Sequence, residues 1–460
     1  MSVAMKFGGT SVADPDAMGR LITIVRQQTQ AAGSPPPIVV VSALAGVTDA
    51  LIEIARLAEE GDAEQAAAGL NALLKRHLAV ATAMTADGRA DLLAAVGHEF
   101  EELIGLIHAL AVLREVSPRS YDAVLAVGEL VSSRIVAAAL ADHGIPSAWV
   151  DARRVLTTDA EHNTAVPDMS ETCDRARARV APLVSAGNVV VIGGFIGATA
   201  NGVTTTLGRG GSDYSAAIFG ACLGVDEIQI WTDVDGMLTA DPRIVPQPRL
   251  VPHLSFAEAS ELAYFGAKVL HPSTILPAVA KNIPVRILNA RRPGNTGTLI
   301  TAEARPAKGQ LTALACKRDV TVIDITSTRM LMAHGFLRRL FEVFERFKTP
   351  VDVVTTSEVS VSVTVDDTRR LDGLVDNLRT FADVNIEREM AIICAVGENL
   401  RADPSLFSRA VTALDRVPLR MVGQAASRRN ITFVLRDADV PNAMTRLHEE
   451  FFQRPFSATS

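Results

Sequence analysis

A glycine-rich segment at residues 204–215, TTTLGRGGSDYS, combines the residue types that bind an anion. It places Arg209, Ser212 and Asp213 among three glycines, directly before an apolar stretch with the composition of a buried helix. The first amides of such a helix point into the preceding loop, where the helix dipole also favours negative charge. Because glycine leaves the backbone open to a bulky group, the segment predicts a site for phosphate or carboxylate.

Lys6 is the single charge within an apolar first strand, and Gly8 and Gly9 follow it in the string KFGGTS. A lysine at the carboxyl edge of a sheet can reach nucleotide phosphates as a point charge, which is one interpretation of Lys6. The alternative is that Lys6 is a surface lysine on an edge strand. The sequence contains no GxxxxGK[ST] string, so it disfavours the P-loop class and calls for another nucleotide-binding scheme.

Three further segments carry polar residues that allow more than one interpretation. Glu129 follows residues 124–127, an apolar run predicted as a strand, and either binds a substrate ammonium or only favours a helix dipole. Thr48 is either a ligand contact or an N-cap. Residues 231–243 hold three aspartates and an arginine, which suit a nucleotide, magnesium or plain turns. No His or Cys pair has metal-ligand spacing and no GxSxG string occurs, so zinc chemistry and a Ser-His-Asp hydrolase triad lack support and no metal-ligating residue is assigned.

Composition limits the class of protein. A chain of 460 residues with 48% hydrophobic residues suits two or three soluble domains. The net charge of -7 disfavours a nucleic-acid partner, and the absence of a signal segment or long apolar run disfavours a membrane partner. The four cysteines lie far apart in sequence, which predicts isolated core thiols in a reducing cytoplasm.

The order of predicted elements indicates two regions. Strand, glycine turn and helix recur in the first region, which is an α/β domain over residues 1–305 with a parallel-rich open sheet. Its first helix is predicted over residues 12–28 with Ser11 as the N-cap. Residues 51–113 are rich in Ala, Leu and Glu and predict a helical insertion without strands.

The second region follows a linker at residues 301–309 and contains two successive units of strand, helix, strand, strand and helix. This order predicts a ferredoxin-like pair, with a first module at residues 306–390 and a second at 391–460. The second unit lacks a final strand, so residues 311–316 are predicted to complete it.

Six motifs together resemble the aspartate kinase family over almost the whole chain. They are KFGGTS (6–11), GGFIG (193–197), the segment 204–214, TDVDG (232–236), DPR (241–243) and FGAKVLHP (265–272). The resemblance is to monofunctional members and implies an amino-acid-kinase fold followed by two ACT domains. It also implies transfer of the ATP γ-phosphoryl group, with Mg²⁺, to the side-chain carboxylate of L-aspartate. That reaction opens lysine, threonine and methionine biosynthesis.

The resemblance assigns roles to individual residues. Lys6, Arg209 and Asp213 are the catalytic residues it implies. The implied aspartate-binding residues are Thr48, Glu129, Arg209 and Ser212, with Glu129 at the ammonium and Arg209 at a carboxylate. The implied nucleotide-binding residues are Lys6, Phe7, Gly8, Gly9, Thr232, Asp233, Arg243, Lys268 and Val269. Leu238 stands where relatives often carry Tyr.

The ACT pair implies feedback control and a homo-oligomer assembled through the ACT modules. The positions implied for an amino-acid effector are Met330, Gly335, Phe336, Leu337, Asp352, Ser357 and Glu358. Lysine is the favoured effector, with threonine as the alternative, because Ala333 stands where some lysine-sensitive relatives have Ser. The same positions also suit the core and turns of a dimerisation module.

Two other functions compete with this interpretation. Another acylphosphate-forming amino-acid kinase is disfavoured by the ACT pair and by KFGGTS. A non-catalytic ACT sensor of amino acids is disfavoured because Lys6, Glu129 and Arg209 are all present. An ionised carboxylate nucleophile requires no strong base, which accounts for the lack of a candidate catalytic histidine.

Overall fold

The computed structural model describes residues 1–86, 89–266, 272–303, 311–327, 334–424 and 428–453. The chain forms two compact units. The first comprises Met1–Met237, Pro252–Phe256 and Val269–Ala304, and the second comprises Leu238–Val251, Ala257–Lys268 and Arg305–Ser460. Two segments of the predicted 1–305 domain thus pack with the second unit, and the domain boundaries stay a prediction.

The strands of the first unit are β1 (Val3–Phe7), β2 (Ile38–Val41), β3 (Ser147–Val150), β4 (Thr157–Thr158), β5 (Val189–Gly193), β6 (Ile196–Thr199), β7 (Thr204–Thr206), β8 (Glu227–Thr232), β9 (His253–Ser255), β10 (Val285–Asn289) and β11 (Thr298–Thr301). Its helices are α1 (Pro15–Thr29), α2 (Val47–Glu60), α3 (Ala63–Met84), α4 (Arg89–Leu113), α5 (Pro118–Asp142), α6 (Met169–Arg179), α7 (Ala181–Ser185), α8 (Gly211–Leu223) and α10 (Leu276–Lys281). α9 (Phe256–Tyr264) begins where the chain passes to the second unit.

An eight-stranded sheet organises this unit in the order β3-β5-β2-β1-β8-β10-β11-β9. The first six strands pair in parallel, and β11 runs antiparallel to β10. β2 and β5 are buried along their whole length, as expected for interior parallel strands covered on both faces. The carboxyl ends of β5, β2 and β1 meet at one edge of this sheet, and the loops that follow them start there.

Two predictions for local structure were wrong. α1 begins at Pro15 rather than at residue 12, because the Asp14 carboxylate accepts the Ala17 N–H and proline suits the first helical position. Residues 124–127 are not a strand but lie within α5, which is buried on nearly all sides. A fully buried helix lacks a polar face, so its apolar run has the same pattern as a buried strand.

The predicted helical insertion is confirmed as α2, α3 and α4, which pack on one another and on α5. Their apolar side chains join one core cluster, within which the rings of His77 and Phe100 lie 5.3 Å apart. Among the described residues, α5 alone is long and apolar enough to cross a membrane, and 83% of its most apolar stretch is buried inside the protein. This burial is that of a core helix.

The prediction of four isolated thiols was wrong for two of them. Cys173 in α6 and Cys222 in α8 form a disulfide with a Cα–Cα separation of 4.6 Å. Their sequence separation of 49 residues concealed a contact between two helices that pack together. Cys316 and Cys394 are free, and Cys394 is buried.

The second unit contains β12 (Ala313–Thr326), α11 (Phe336–Arg346), β13 (Val354–Thr356), β14 (Ser360–Val365), α12 (Leu371–Arg379), β15 (Asp383–Val396), α13 (Pro404–Ala413), β16 (Leu419–Gly423), β17 (Asn430–Arg436) and α14 (Val440–His448). Its six-stranded sheet has the order β13-β14-β12-β15-β17-β16. Residues 313–317 of β12 pair with residues 392–396 of β15, which supports the predicted completion of the second module.

Candidate active site

A cavity of about 600 Å³ opens in the first unit at the edge where β5, β2 and β1 end. We call it the substrate cavity. It is lined by seven of the residues singled out from the sequence: Lys6, Gly9, Thr48, Glu129, Arg209, Ser212 and Asp213. These residues come from the end of β1, the first turn of α2, the middle of α5 and the start of α8. The fold therefore gathers them from distant parts of the sequence.

The glycine-rich segment forms the loop that leads into α8. Gly208 and Gly210 have φ angles of +75° and +71°, a backbone region that side chains other than glycine rarely adopt. Gly211 is required for packing instead, because a Cβ there would lie 2.7 Å from the Phe195 ring. The loop places the first turn of α8 on the cavity wall, where its free amides and the helix dipole favour an anion.

Lys6 lies one residue before the carboxyl end of β1, beside that helix. Its Nζ lies 2.7 Å from Asp213 Oδ1, and both side chains are mostly buried, with exposures of 12% and 14%. Asp213 therefore fixes the ammonium group of Lys6 against the first turn of α8. This arrangement keeps a cation at the point where the amides also attract negative charge.

Glu129 is a buried carboxylate on the cavity wall, only 3% exposed. Burial raises the pKa of Glu129 to about 8, although the N–H groups of Ala43 and of Glu129 itself and the charge of Lys6 oppose this. Its Oε2 atom is buried, and it has no hydrogen-bond partner within the described part of the chain. An acceptor in this state suits a ligand that brings a positive charge and N–H donors.

Arg209 and Ser212 stand on either side of Gly210 and Gly211 in the sequence and differ in exposure. Arg209 is exposed, and no carboxylate in the described ranges pairs with its guanidinium group. Ser212 is 8% exposed and packs against Gly194, at which a Cβ would lie 2.7 Å from Ser212 Cβ. Arg209 is thus available to a ligand carboxylate, while Ser212 is held rigidly by the strand end next to it.

The residues implied for nucleotide binding are distributed differently. Phe7 is fully buried and its ring stacks on Trp231 at 6.0 Å, so it packs in the core next to Lys6. The Gly8 N–H donates to the Trp231 carbonyl. Thr232 ends β8, the strand next to β1, and Asp233 after it is exposed.

Three other residues implied for nucleotide binding are not part of this strand edge or are not described. Arg243 belongs to the second unit, where it is 71% exposed and forms an ion pair with Asp241 at 2.6 Å. Lys268 and Val269 lie outside the described residues. Leu238 also belongs to the second unit, where it bridges to Leu250.

The sequence interpretation missed Asp122, Asn163 and Thr206. Asp122 is fully buried in α5 and contacts both of the others, which line the substrate cavity. Asp122 precedes Glu129 by seven residues, a spacing that puts both on one face of a helix. The signal was present, but the strand predicted at residues 124–127 concealed it.

The positions implied for an effector lie in the second unit. Gly335, with φ +86°, precedes α11, which Phe336 and Leu337 begin. Ser357 and Glu358 lie between β13 and β14. Met330 lies outside the described residues.

Asp352 is the position in this set that forms an ion pair, among those the structure describes. It accepts hydrogen bonds from Lys317 Nζ at 2.7 Å and from the Tyr264 hydroxyl at 2.9 Å. Lys317 also contacts Asp366 at 2.7 Å. The Asp352 side chain is buried, whereas Tyr264 and Asp366 in its charge network are partly exposed.

Comparison with known proteins places both regions of the chain. Residues 1–289 match the amino acid kinase family, and residues 393–451 match the ACT domain. Lysine-sensitive aspartokinase 3 of Escherichia coli (strain K12) is 34% identical, with the match covering 98% of this chain and 99% of the relative. These matches confirm the predicted fold class.

Two solved structures of the E. coli aspartokinase III resemble this chain over 98% of its length at 34% identity. The complex with aspartate and ADP gives a TM-score of 0.85 and is covered over 100% of its length. The complex with lysine and aspartate gives a TM-score of 0.80 and is covered over 99% of its length.

Proposed function

The chain belongs to the aspartokinase family, and on that premise we propose that it transfers the γ-phosphoryl group of ATP to the side-chain carboxylate of L-aspartate. The product is 4-phospho-L-aspartate, the entry to lysine, threonine and methionine biosynthesis. One observation carries the proposal: a single cavity contains the Lys6–Asp213 pair and the start of α8 together with Glu129 and Arg209. It thus offers groups for a phosphate and for an amino acid.

The two ends of the amino acid have separate partners in this proposal. Glu129 accepts from the α-ammonium group, which supplies the donor and the positive charge that Oε2 lacks. Arg209 binds the α-carboxylate in a charge-assisted pair, and Thr48 and Ser212 offer hydroxyl groups from the same wall. The side-chain carboxylate is then free to face the nucleotide.

Phosphoryl transfer between two anions requires charge neutralisation more than a base. The aspartate side chain is ionised near neutral pH and attacks without deprotonation. Lys6 and the amides of the first turn of α8 stabilise the transferring phosphoryl group, and Asp213 orients Lys6. The residues around Lys6, Phe7, Gly8, Gly9, Thr232 and Asp233, are proposed to receive the rest of the nucleotide, with Arg243, Lys268 and Val269.

We propose that Mg²⁺ accompanies ATP. Among the described residues, no group of three His, Cys, Asp or Glu side chains is placed to hold a metal ion. Mg²⁺ is usually held by one or two carboxylates together with substrate phosphates, so its binding does not require a protein site with three ligands. Asp213, which lies on the cavity wall beside Lys6, would be one of these carboxylates, and the ion would offset phosphate charge.

Feedback control by lysine is proposed for the second unit, with threonine as the alternative effector. The support is the similarity to the lysine-sensitive E. coli enzyme and to its structure with lysine. Asp352, within its network of charges, and the start of α11 are the proposed contacts. We also propose a cytoplasmic homo-oligomer assembled through two ACT modules, with the boundaries given above.

The activity is tested by trapping the acylphosphate with hydroxylamine in the presence of ATP and Mg²⁺. We expect hydroxamate with aspartate and at most a trace with glutamate. A preference for glutamate would replace the substrate assignment, and no product with either would favour the non-catalytic sensor. Repeating the assay with lysine and with threonine identifies the effector, and light scattering gives the oligomeric state.

A further inference from the structure

We propose that Asp122 is a positioning residue for the amino-acid side of the substrate cavity. It acts through Asn163 and Thr206, which line the cavity, and does not itself touch the ligand. The inference rests on the proposed function, because it concerns how that cavity binds aspartate. It adds three residues to those that the sequence identified.

Asp122 connects three segments at one buried point. Its Oδ1 accepts from the Thr206 hydroxyl at 2.5 Å, at the end of β7. Its Oδ2 lies 2.6 Å from His162 Nδ1, and the Asn163 N–H points to both oxygens at 3.1 and 3.2 Å. Because a carboxylate only accepts, Nδ1 of His162 carries the proton. Asp122 is 0% exposed, so these bonds act away from water.

Asn163 has a conformation that needs such support. Its φ angle is +71°, which a residue other than glycine adopts at some energetic cost. The bond from its N–H to Asp122 holds this turn in place. Its carbonyl oxygen would lie 3.1 Å from a Cβ on Gly208, so a displaced turn would press on the loop that carries Arg209.

The same turn carries a buried acceptor without a partner, on a residue that lines the cavity. Asn163 Oδ1 is buried and lacks a hydrogen-bond partner in the described ranges, as does Glu129 Oε2. An ammonium group has three N–H donors, so two such acceptors suit the α-ammonium group of an amino acid. Asp122 and Glu129 lie two turns apart on α5, so this helix sets the position of both acceptors.

A purely structural role for Asp122 predicts a different result. Loss of a buried hydrogen-bond network lowers the stability of the whole unit and affects every kinetic constant through the amount of folded enzyme. A loss of positioning instead weakens the binding of aspartate and leaves the binding of ATP unchanged. The Michaelis constants for aspartate and for ATP, measured beside stability, separate the two roles.

The test compares Asp122→Asn with the wild-type enzyme. We expect the KM for aspartate to rise about tenfold or more, while the KM for ATP stays within about twofold and kcat falls less than the KM rises. Thr206→Val removes one of the bonds and is expected to give a smaller rise in the same direction. It serves as the second variant if Asp122→Asn does not fold.

A matched control removes a different buried charge. Glu227 at the start of β8 pairs with Arg286 at 2.9 Å and does not line the cavity. Glu227→Gln is expected to lower stability in urea and to leave the KM for aspartate unchanged. If Asp122→Asn and Thr206→Val leave that KM within about twofold of wild type, or only copy Glu227→Gln, the inference is wrong. A wild-type enzyme inactive with aspartate would instead remove the proposed function.

Discussion

Lys6 and Asp213 form an ion pair of 2.7 Å that joins the end of β1 to the first turn of α8. Lys6 belongs to β1 and Asp213 to α8, which are far apart in sequence. The pair therefore forms only when the chain folds. It keeps the Lys6 ammonium group at the positive end of α8. A bound phosphate would there contact Lys6 in place of Asp213 or together with it.

Lys6→Ala removes the cation that we assign to the transferring phosphoryl group. We expect kcat to fall by about 100-fold or more, because a preorganised charge at the developing transition state is lost. The unfolding midpoint in urea is expected to fall because Asp213 loses its partner, and kcat is therefore measured under conditions in which the variant is folded. Lys281→Ala, at an exposed lysine in the last turn of α10, is the matched control and should retain full activity. Near-normal turnover of Lys6→Ala would remove Lys6 from the mechanism.

Aspartate binding should depend on pH through Glu129. Its pKa is raised to about 8 in the free protein, so the carboxyl group is largely protonated at neutral pH. The α-ammonium group binds the ionised form, and binding therefore releases a proton. Affinity should improve as pH rises and level off above about 8, with a slope of up to about tenfold per pH unit below it.

Calorimetry in buffers of different ionisation enthalpy measures that proton release directly. Glu129→Gln should bind aspartate weakly, with no proton release between pH 6 and 8 attributable to this group. A wild-type affinity that is flat across this range would contradict the assignment of Glu129 to the ammonium.

His77 should make the helical insertion sensitive to acid. It is fully buried, and burial lowers its pKa from about 6.5 to about 4. Above pH 6.5 the imidazole is neutral in both folded and unfolded chains. Between pH 6.5 and about 4 only the unfolded chain takes up the proton, so stability falls by up to about 3 kcal/mol.

Urea unfolding at several pH values tests this against His77→Leu. As pH falls over that window, the wild type should lose unfolding free energy relative to His77→Leu. His108→Leu replaces an exposed histidine of α4 and is the matched control, which should leave the pH dependence unchanged. A pH-independent difference for His77→Leu would contradict the prediction.

Gly194→Ala should disturb the aspartate site without adding charge. The new Cβ would lie 2.7 Å from Ser212 Cβ and 2.8 Å from Ser212 Cα, so backbone must move. We expect a raised KM for aspartate and a stability loss of about 1 to 3 kcal/mol. Gly97→Ala is the control: no atom lies within 4 Å of its Cβ, and in the middle of α4 it should stabilise the protein by up to about 1 kcal/mol.

Local patterns predicted much of the fold because they reflect short-range physics. β1, β5 and β8 are apolar runs that end at glycine or polar loops, and the insertion has helical composition over a long stretch. The loop before α8 was predictable from its glycines, since positive φ angles at Gly208 and Gly210 restrict the residue type. The strand prediction for residues 124–127 was wrong because a helix buried on all sides has no polar face to identify it.

The sequence by itself determined the element types, the anion-binding loop and the residue types available for chemistry, because these depend on neighbours along the chain. Tertiary structure alone decided that Cys173 meets Cys222, that Asp122 reaches Thr206, and that Glu129 is buried deeply enough to raise its pKa. Each of these depends on which distant segments pack together and exclude water. No local pattern encodes such packing, and the substrate cavity exists only through it.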